Sequence, residues 1–330
     1  PELMASAVEA AATRAAAVSL VVTGPGATRD GRAVPLLANV GGPADAEPAV
    51  AAGAEGVGLF RTEFSFLSGD EPSIDAQAAA YRAVFAAFPG KKVVVRVLDA
   101  GADKPLSYLT GDEEPNPALG VRGLRAFQRQ PEVLDNQLAA IVAASADTTA
   151  DVWVMAPMVA DAAEARWFAE RARKAGVRTA GVMVEVPSAA LTARAVLGEC
   201  DFASIGTNDL TQYTLAADRQ LGALGRMQDP WHPAVLMLIQ STAAAGAEVG
   251  KPVGVCGEAA ADPVLALVLV GLGITSLSMS PGALADVRSA LARTSYDECR
   301  SFAALALAAP DAATARERVT AAQQREALKA

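Results

Sequence analysis

Short runs of β-branched and apolar residues alternate along the chain with longer Ala-rich segments of mixed polarity, the pattern of parallel strands joined by crossover helices. Eight runs read as strands. They begin near Leu36 (LLANV), Val57 (VGLF), Val93 (VVVRVL), Val152 (VWVMAPM), Gly181 (GVMVEV), Phe202 (FASIG), Val253 (VGVCG) and Thr275 (TSLSMS). No connection between them is too short to hold a crossover helix. The helix candidates are Ile74 to Phe88, Pro131 to Ser145, Ala162 to Ala175, Pro187 to Leu197, Pro233 to Glu248 and Pro263 to Leu272. Several start with proline, whose fixed φ and missing N–H suit a first helical turn. Eight strand–helix pairs predict an α/β fold of the (β/α)8 TIM-barrel type; a doubly wound open sheet shares the local pattern, and the count favours the barrel. Residues 1–33 read as a linker helix and a turn-rich segment, 34–310 as the barrel, and 311–330 as a solvated C-terminal helix.

With 330 residues, 52% hydrophobic and 20% charged, the chain has ample apolar surface for a core, and disorder is excluded for its bulk. The 28 Lys and Arg against 37 Asp and Glu give a net charge of −9. That balance argues against a nucleic-acid partner and requires any anionic ligand to meet a local basic pocket. Cys200, Cys256 and Cys299 are far apart and outside any CxxC pattern, so neither a disulfide framework nor a zinc site is expected, and a cytoplasmic location is. The most apolar stretch, Val264 to Ile274, is about half the roughly 20 residues a membrane span needs. The N-terminal segment, with Glu2, Glu9 and Arg14, lacks a signal-peptide pattern.

Barrel enzymes place their chemistry at the C-terminal ends of strands, and the reactive residues of this chain gather there. Arg61 ends the second strand, Arg96 and Asp99 end the third, Glu185 the fifth, Asn208 and Asp209 the sixth, and Cys256 and Glu258 the seventh. Two long connections carry polar insertions, NPALGVRGLR with Arg122 and AADRQLG with Arg219. Glu185 and Asp209 come from neighbouring strands in apolar contexts, a pair that a hard divalent cation such as Mg²⁺ would satisfy; ion pairs with barrel arginines are the alternative. Arg61, Arg96, Arg122, Arg219 and Lys104 give the acidic protein a cationic mouth suited to phosphate and carboxylate. A three-carbon phosphoacid would use all of these groups. Cys256 is either a small core residue or a thiol whose pKa the nearby positive charge lowers. His232, the single histidine, opens a helix and reads as structural, which leaves no phosphohistidine candidate.

The segments EGVGLFRTEFSFL, VVVRVLDAGADKPL, NPALGVRGLR, GVMVEVPSAAL, FASIGTNDLTQYTLAADR and VGVCGEAAADP occur in an order that resembles the C-terminal half of Enzyme I of the bacterial phosphoenolpyruvate:sugar phosphotransferase system. The resemblance implies a usually dimeric phosphoenolpyruvate-binding barrel that releases pyruvate as the phosphoryl group passes to a histidine. By carry-over, Arg61 and Arg96 grip the phosphate with Arg122 and Lys104, Arg219 completes the clamp, and Asn208 and Asp209 contact the substrate. Glu185 and Asp209 hold Mg²⁺, and Cys256 protonates the methylene carbon. The family's acceptor histidine lies on an N-terminal domain, which passes the phosphoryl group to a histidine-containing phosphocarrier protein; this sequence contains neither. The run DRQLGALG also departs from the family's usual turn after TQY. Pyruvate phosphate dikinase and phosphoenolpyruvate synthase share the RTE, EVP, GTNDLTQ and CGE elements and form the alternative within the enzyme class. A non-catalytic phosphoenolpyruvate-sensing or dimerisation module is the alternative outside it.

Overall fold

A computed structural model describes residues 23–66, 71–101, 106, 108–109 and 114–328. Eight parallel strands close into a barrel in sequence order: β1 (Leu36–Val40), β2 (Gly56–Arg61), β3 (Lys92–Arg96), β4 (Asp151–Ala156), β5 (Ala180–Val184), β6 (Ala203–Ile205), β7 (Val253–Val255) and β8 (Ser276–Met279), with β8 pairing back onto β1. All eight expected strands are present, and closure excludes the open sheet. Most strand residues are buried because helices cover the outside while side chains fill the inside. The interior filling is small: Leu59, Val94, Met155, Met183, Phe202 and Cys256, with Trp153 packed against them.

Six of the thirteen helices among the described residues begin on a side chain that caps them. In order, the thirteen are α1 (Pro43–Ala51), α2 (Ile74–Ala86), α3 (Leu124–Arg129), α4 (Pro131–Ser145), α5 (Ala162–Ala175), α6 (Pro187–Leu191), α7 (Ala193–Glu199), α8 (Thr207–Leu215), α9 (Pro233–Val249), α10 (Pro263–Gly271), α11 (Leu284–Arg293), α12 (Tyr296–Leu307) and α13 (Ala312–Ala327). Ser73, Asp161 and Asp262 each accept a first-turn N–H with a side-chain oxygen, satisfying donors that a helix start leaves free. His232 Nδ1 accepts the Ala234 N–H at 3.2 Å, so the histidine is a cap for α9, as expected. The helix expected from Pro187 to Leu197 is instead two. Thr192 Oγ1 donates to the Ser188 carbonyl at 2.8 Å, the back-bonding that bends helices, and its φ of −108° breaks the run. The helix expected over residues 1–18 lies outside the described residues.

Residues 23–33 lie against the barrel wall. Glu55 Oε1 accepts the Gly26 and Leu36 N–H groups at 2.7 and 2.9 Å, Arg29 pairs with Glu298 at 3.0 Å, and Arg32 stacks over the Tyr296 ring at 3.9 Å. The apolar stretch at 264–270 is in α10, packed against α12 and buried along nearly its whole length. No helix among the described residues is long and apolar enough to cross a membrane. The α10–α12 contact depends on Gly271: a Cβ there would lie 2.0 Å from the Cys299 carbonyl oxygen. Backbone cannot yield as a flexible side chain can, so Gly271→Ala is expected to destabilise by about 1–3 kcal/mol. Gly282→Ala, whose Cβ would meet nothing within 4 Å, is the control. Urea unfolding of both variants measures the difference.

Candidate active site at the barrel mouth

The strand ends converge on a cavity of about 420 Å³. Arg61, Arg96, Glu185, Asn208, Asp209, Arg219 and Cys256 all line it, so residues spread over some 195 sequence positions meet within one pocket. Each is placed by local structure. Arg61 and Arg96 are the last residues of β2 and β3 and are direct partners in the strand register. Glu185 follows β5 directly, and Asn208 and Asp209 occupy the first turn of α8, where the helix N-terminus favours anions. Two glycines make room: a Cβ on Gly206 would meet Glu185 Oε2 at 2.8 Å, and one on Gly257 would meet Thr207 Oγ1 at 1.9 Å.

A buried network beneath the mouth fixes the backbone after β3. Gln137 of α4, fully buried, accepts the Leu98 N–H with Oε1 at 3.0 Å. Its Nε2 donates to Thr62 Oγ1 at 3.0 Å, and Thr62 donates to the Arg96 carbonyl at 3.0 Å. The loop after α8 is held similarly: Gln212 Oε1 accepts the Arg219 N–H at 2.9 Å. Gln212 thus anchors Arg219 despite the unusual DRQLGALG turn.

The expected cationic mouth is in fact an alternation of charges. Arg96 pairs with Glu63 and stands 3.4 Å from Asp99. Burial opposes its charge, but Glu63 and Asp99 outweigh burial and hold its pKa above the ordinary arginine value. Arg122 does not line the cavity. It lies 1% exposed behind Asp99 and Asp209, donating to Asp209 Oδ1 at 3.1 Å, and borders a second groove beside Tyr213 and Ala118. Arg219 reaches Asp209 at 3.5 Å. Lys104 lies outside the described residues. Glu63, Phe64 and Met183 also line the cavity and were not singled out from sequence. Glu63 sits in the RTE element beside Arg61, yet only the fold aims its carboxylate at Arg96.

Glu185 forms no salt bridge among the described residues, although the Arg96 and Arg122 charges act on it. It is 1% exposed, and its Oε1 accepts the N–H of Met158 at 2.7 Å. Met158 has φ 58°, a conformation costly for a non-glycine residue and typical of functional sites. Burial, with the Asp209 and Asp99 charges added, pushes the Glu185 carboxyl up to about 8. Two hard-oxygen carboxylates, of which Asp209 disfavours the charge on Glu185, suit Mg²⁺, which commonly uses one or two carboxylates and takes its remaining ligands from substrate and water. No group of three or more His, Cys, Asp or Glu among the described residues is placed to hold a metal, so substrate oxygens would have to complete the sphere.

These residues place the chain among known proteins. The sequence profile described as PEP-utilising enzyme, PEP-binding domain, matches residues 15–296. The chain belongs to this family. Its domain is 59% identical to a phosphoenolpyruvate-protein phosphotransferase of Streptomyces coelicolor, over 93% of this chain and 55% of that protein. It is 40% identical to the Bacillus subtilis protein of the same name, over 86% and 51%, and 44% identical to a multiphosphoryl transfer protein of Rhodobacter capsulatus, over 88% and 36%. The chain thus spans about half the length, or less, of these relatives. Among solved structures, an HpcH/HpaI aldolase from Desulfitobacterium hafniense aligns with a TM-score of 0.42 at 14% identity, over 77% of this chain and 86% of that one, too remote to bear on the chemistry.

The PEP-binding domain presents Cys256 as a neutral thiol. The expectation of a lowered pKa is reversed: burial pushes it up to about 11, and the opposing pull of Ser204 and Arg96 falls short. Such a group holds its proton at neutral pH, where a thiolate could not act as an acid. Alkylation by iodoacetamide, mapped by mass spectrometry, is therefore expected to be slow at pH 7–8 and to climb toward about pH 11, instead of levelling off above about 8.5 as a free thiol does.

Proposed function

We propose that this chain is the phosphoenolpyruvate-binding and pyruvate-forming part of a phosphoenolpyruvate-protein phosphotransferase. The observation that carries the reading is the meeting of Arg61, Arg96 and Arg219 with Glu185, Asp209 and Cys256 around one cavity. Arginine forks suit the phosphate and carboxylate of the substrate, and Arg122 backs them from behind Asp99 and Asp209. Asn208 links the sixth and seventh strand ends by accepting the Glu258 N–H at 3.1 Å, and its amide would contact the substrate. Glu185 and Asp209 would hold Mg²⁺, which when bound supplies further neutralisation of the transferring phosphoryl oxygens.

The chemistry assigned to the chain's own residues is one of charge and proton. As the P–O bond breaks, the phosphoryl group moves to an acceptor imidazole and the enolate electrons return toward C3. Cys256 gives its thiol proton to C3, so pyruvate forms and a thiolate remains, which solvent reprotonates before the next cycle. The positive groups stabilise charge spread over the phosphoryl oxygens in the transition state. His232 is occupied in capping α9, and the acceptor histidine accordingly belongs to another domain, which would hand the phosphoryl group to a histidine-containing phosphocarrier protein. The names of the relatives support this reading over a dikinase or synthase, and the retained reactive groups support it over a sensing or dimerisation module. A cytoplasmic homodimer fits the reading, and all three cysteines are free and buried.

Calorimetry of phosphoenolpyruvate binding to this chain, with and without Mg²⁺, tests the proposal. Metal-dependent binding is expected, with Arg96→Ala weaker by at least about tenfold, the loss of a charge-assisted contact. Cys256→Ala is expected to bind nearly as the parent does and to form no pyruvate once the histidine domain is added. Metal-independent or absent binding would sink the reading.

A further inference from the structure

Two of the site's arginines share one buried carboxylate. Asp99 is 0% exposed. Its oxygens accept from Arg122 Nε at 3.0 Å and Nη2 at 2.8 Å, a parallel fork, and Oδ2 also stands 3.4 Å from Arg96 Nη1. Guanidinium groups brought this close in a poorly polarisable interior repel each other strongly. A carboxylate between them turns that repulsion into attraction on both sides, and the two-point fork fixes the Arg122 plane as well as its charge. Beyond Arg122 the alternation continues through Asp209 to Arg219, and beyond Arg96 it ends at Glu63. Asp99 is thus the joint between the end of the mouth that carries Arg96 and the end that carries Asp209.

We propose that Asp99 is a positioning residue: it locks Arg96 toward the cavity and Arg122 against Asp209, so that the anion-binding end and the carboxylate end of the site keep one geometry. This rests on the function proposed above for the same cavity. Counter-charge alone would tolerate a longer acid, whereas positioning does not. The two are separated by Asp99→Asn, which removes the charge, and Asp99→Glu, which keeps the charge and moves it by one methylene.

Both variants are expected to bind phosphoenolpyruvate at least about tenfold more weakly by calorimetry in the presence of Mg²⁺. Binding by Asp99→Glu within about twofold of the parent would reduce Asp99 to a counter-charge and overturn the proposal. A second readout needs no substrate. In ¹⁵N-labelled parent chain the Arg122 Nε–H signal is expected to exchange slowly with solvent, and in either variant to exchange fast. Fast exchange in the parent, or equally slow exchange in a variant that melts cooperatively, overturns the proposal. A parent chain that binds no phosphoenolpyruvate would remove the functional reading, while the Arg122 exchange would still decide the role of Asp99.

Discussion

The mouth of this barrel depends on keeping several charges out of water without leaving any of them uncompensated. Arg122 and Asp99 are almost wholly buried, and Arg96 nearly so. An ion stripped of water costs several kcal/mol unless partners and hydrogen bonds replace its hydration. The alternation from Glu63 through Arg96, Asp99, Arg122 and Asp209 to Arg219 supplies those partners. The cavity is therefore strongly polar yet already organised, with Glu185 held by the Met158 N–H and by no salt bridge among the described residues. Preorganised charge of this kind stabilises a transition state without having to rearrange during the reaction.

The rest of the fold serves that arrangement. Strand register sets Arg61 and Arg96 side by side, and the Gln137 and Thr62 hydrogen bonds fix the turn that carries Asp99. Gly206 and Gly257 let Glu185 and Thr207 approach their neighbours. The same burial that keeps Glu185 protonated more readily than an ordinary carboxylate keeps the Cys256 thiol neutral. One physical cause, removal from water, thus prepares both a carboxylate pair suited to a divalent cation and a proton donor suited to carbon.

The barrel was legible in the sequence because strand runs, proline starts and crossover spacing are local signals. Helices α1, α3, α8, α11 and α12 were not among the helix candidates. The Ser295–Glu298 capping box that starts α12 is a local signal that was readable and missed. The division of 187–199 into two helices was not readable from periodicity, because it follows from one hydroxyl turning back onto a carbonyl. For the site, position at a strand end identified most of the cavity-lining residues, since any parallel barrel gathers its strand ends at one face.

What the sequence determined by itself was which residues share the mouth: Arg61, Arg96, Glu185, Asn208, Asp209 and Cys256 stand at or just beyond strand ends, and connectivity alone brings them together. The tertiary structure decided what each of them experiences there. Arg122 looked like a further phosphate grip and lies behind two carboxylates; Cys256 looked open to acidification by arginines and is instead held neutral by burial. Glu63 acquired its place only because β2 and β3 lie adjacent. Pairing and desolvation depend on distances of a few ångströms between residues far apart in the chain, and those distances exist only once the barrel has closed.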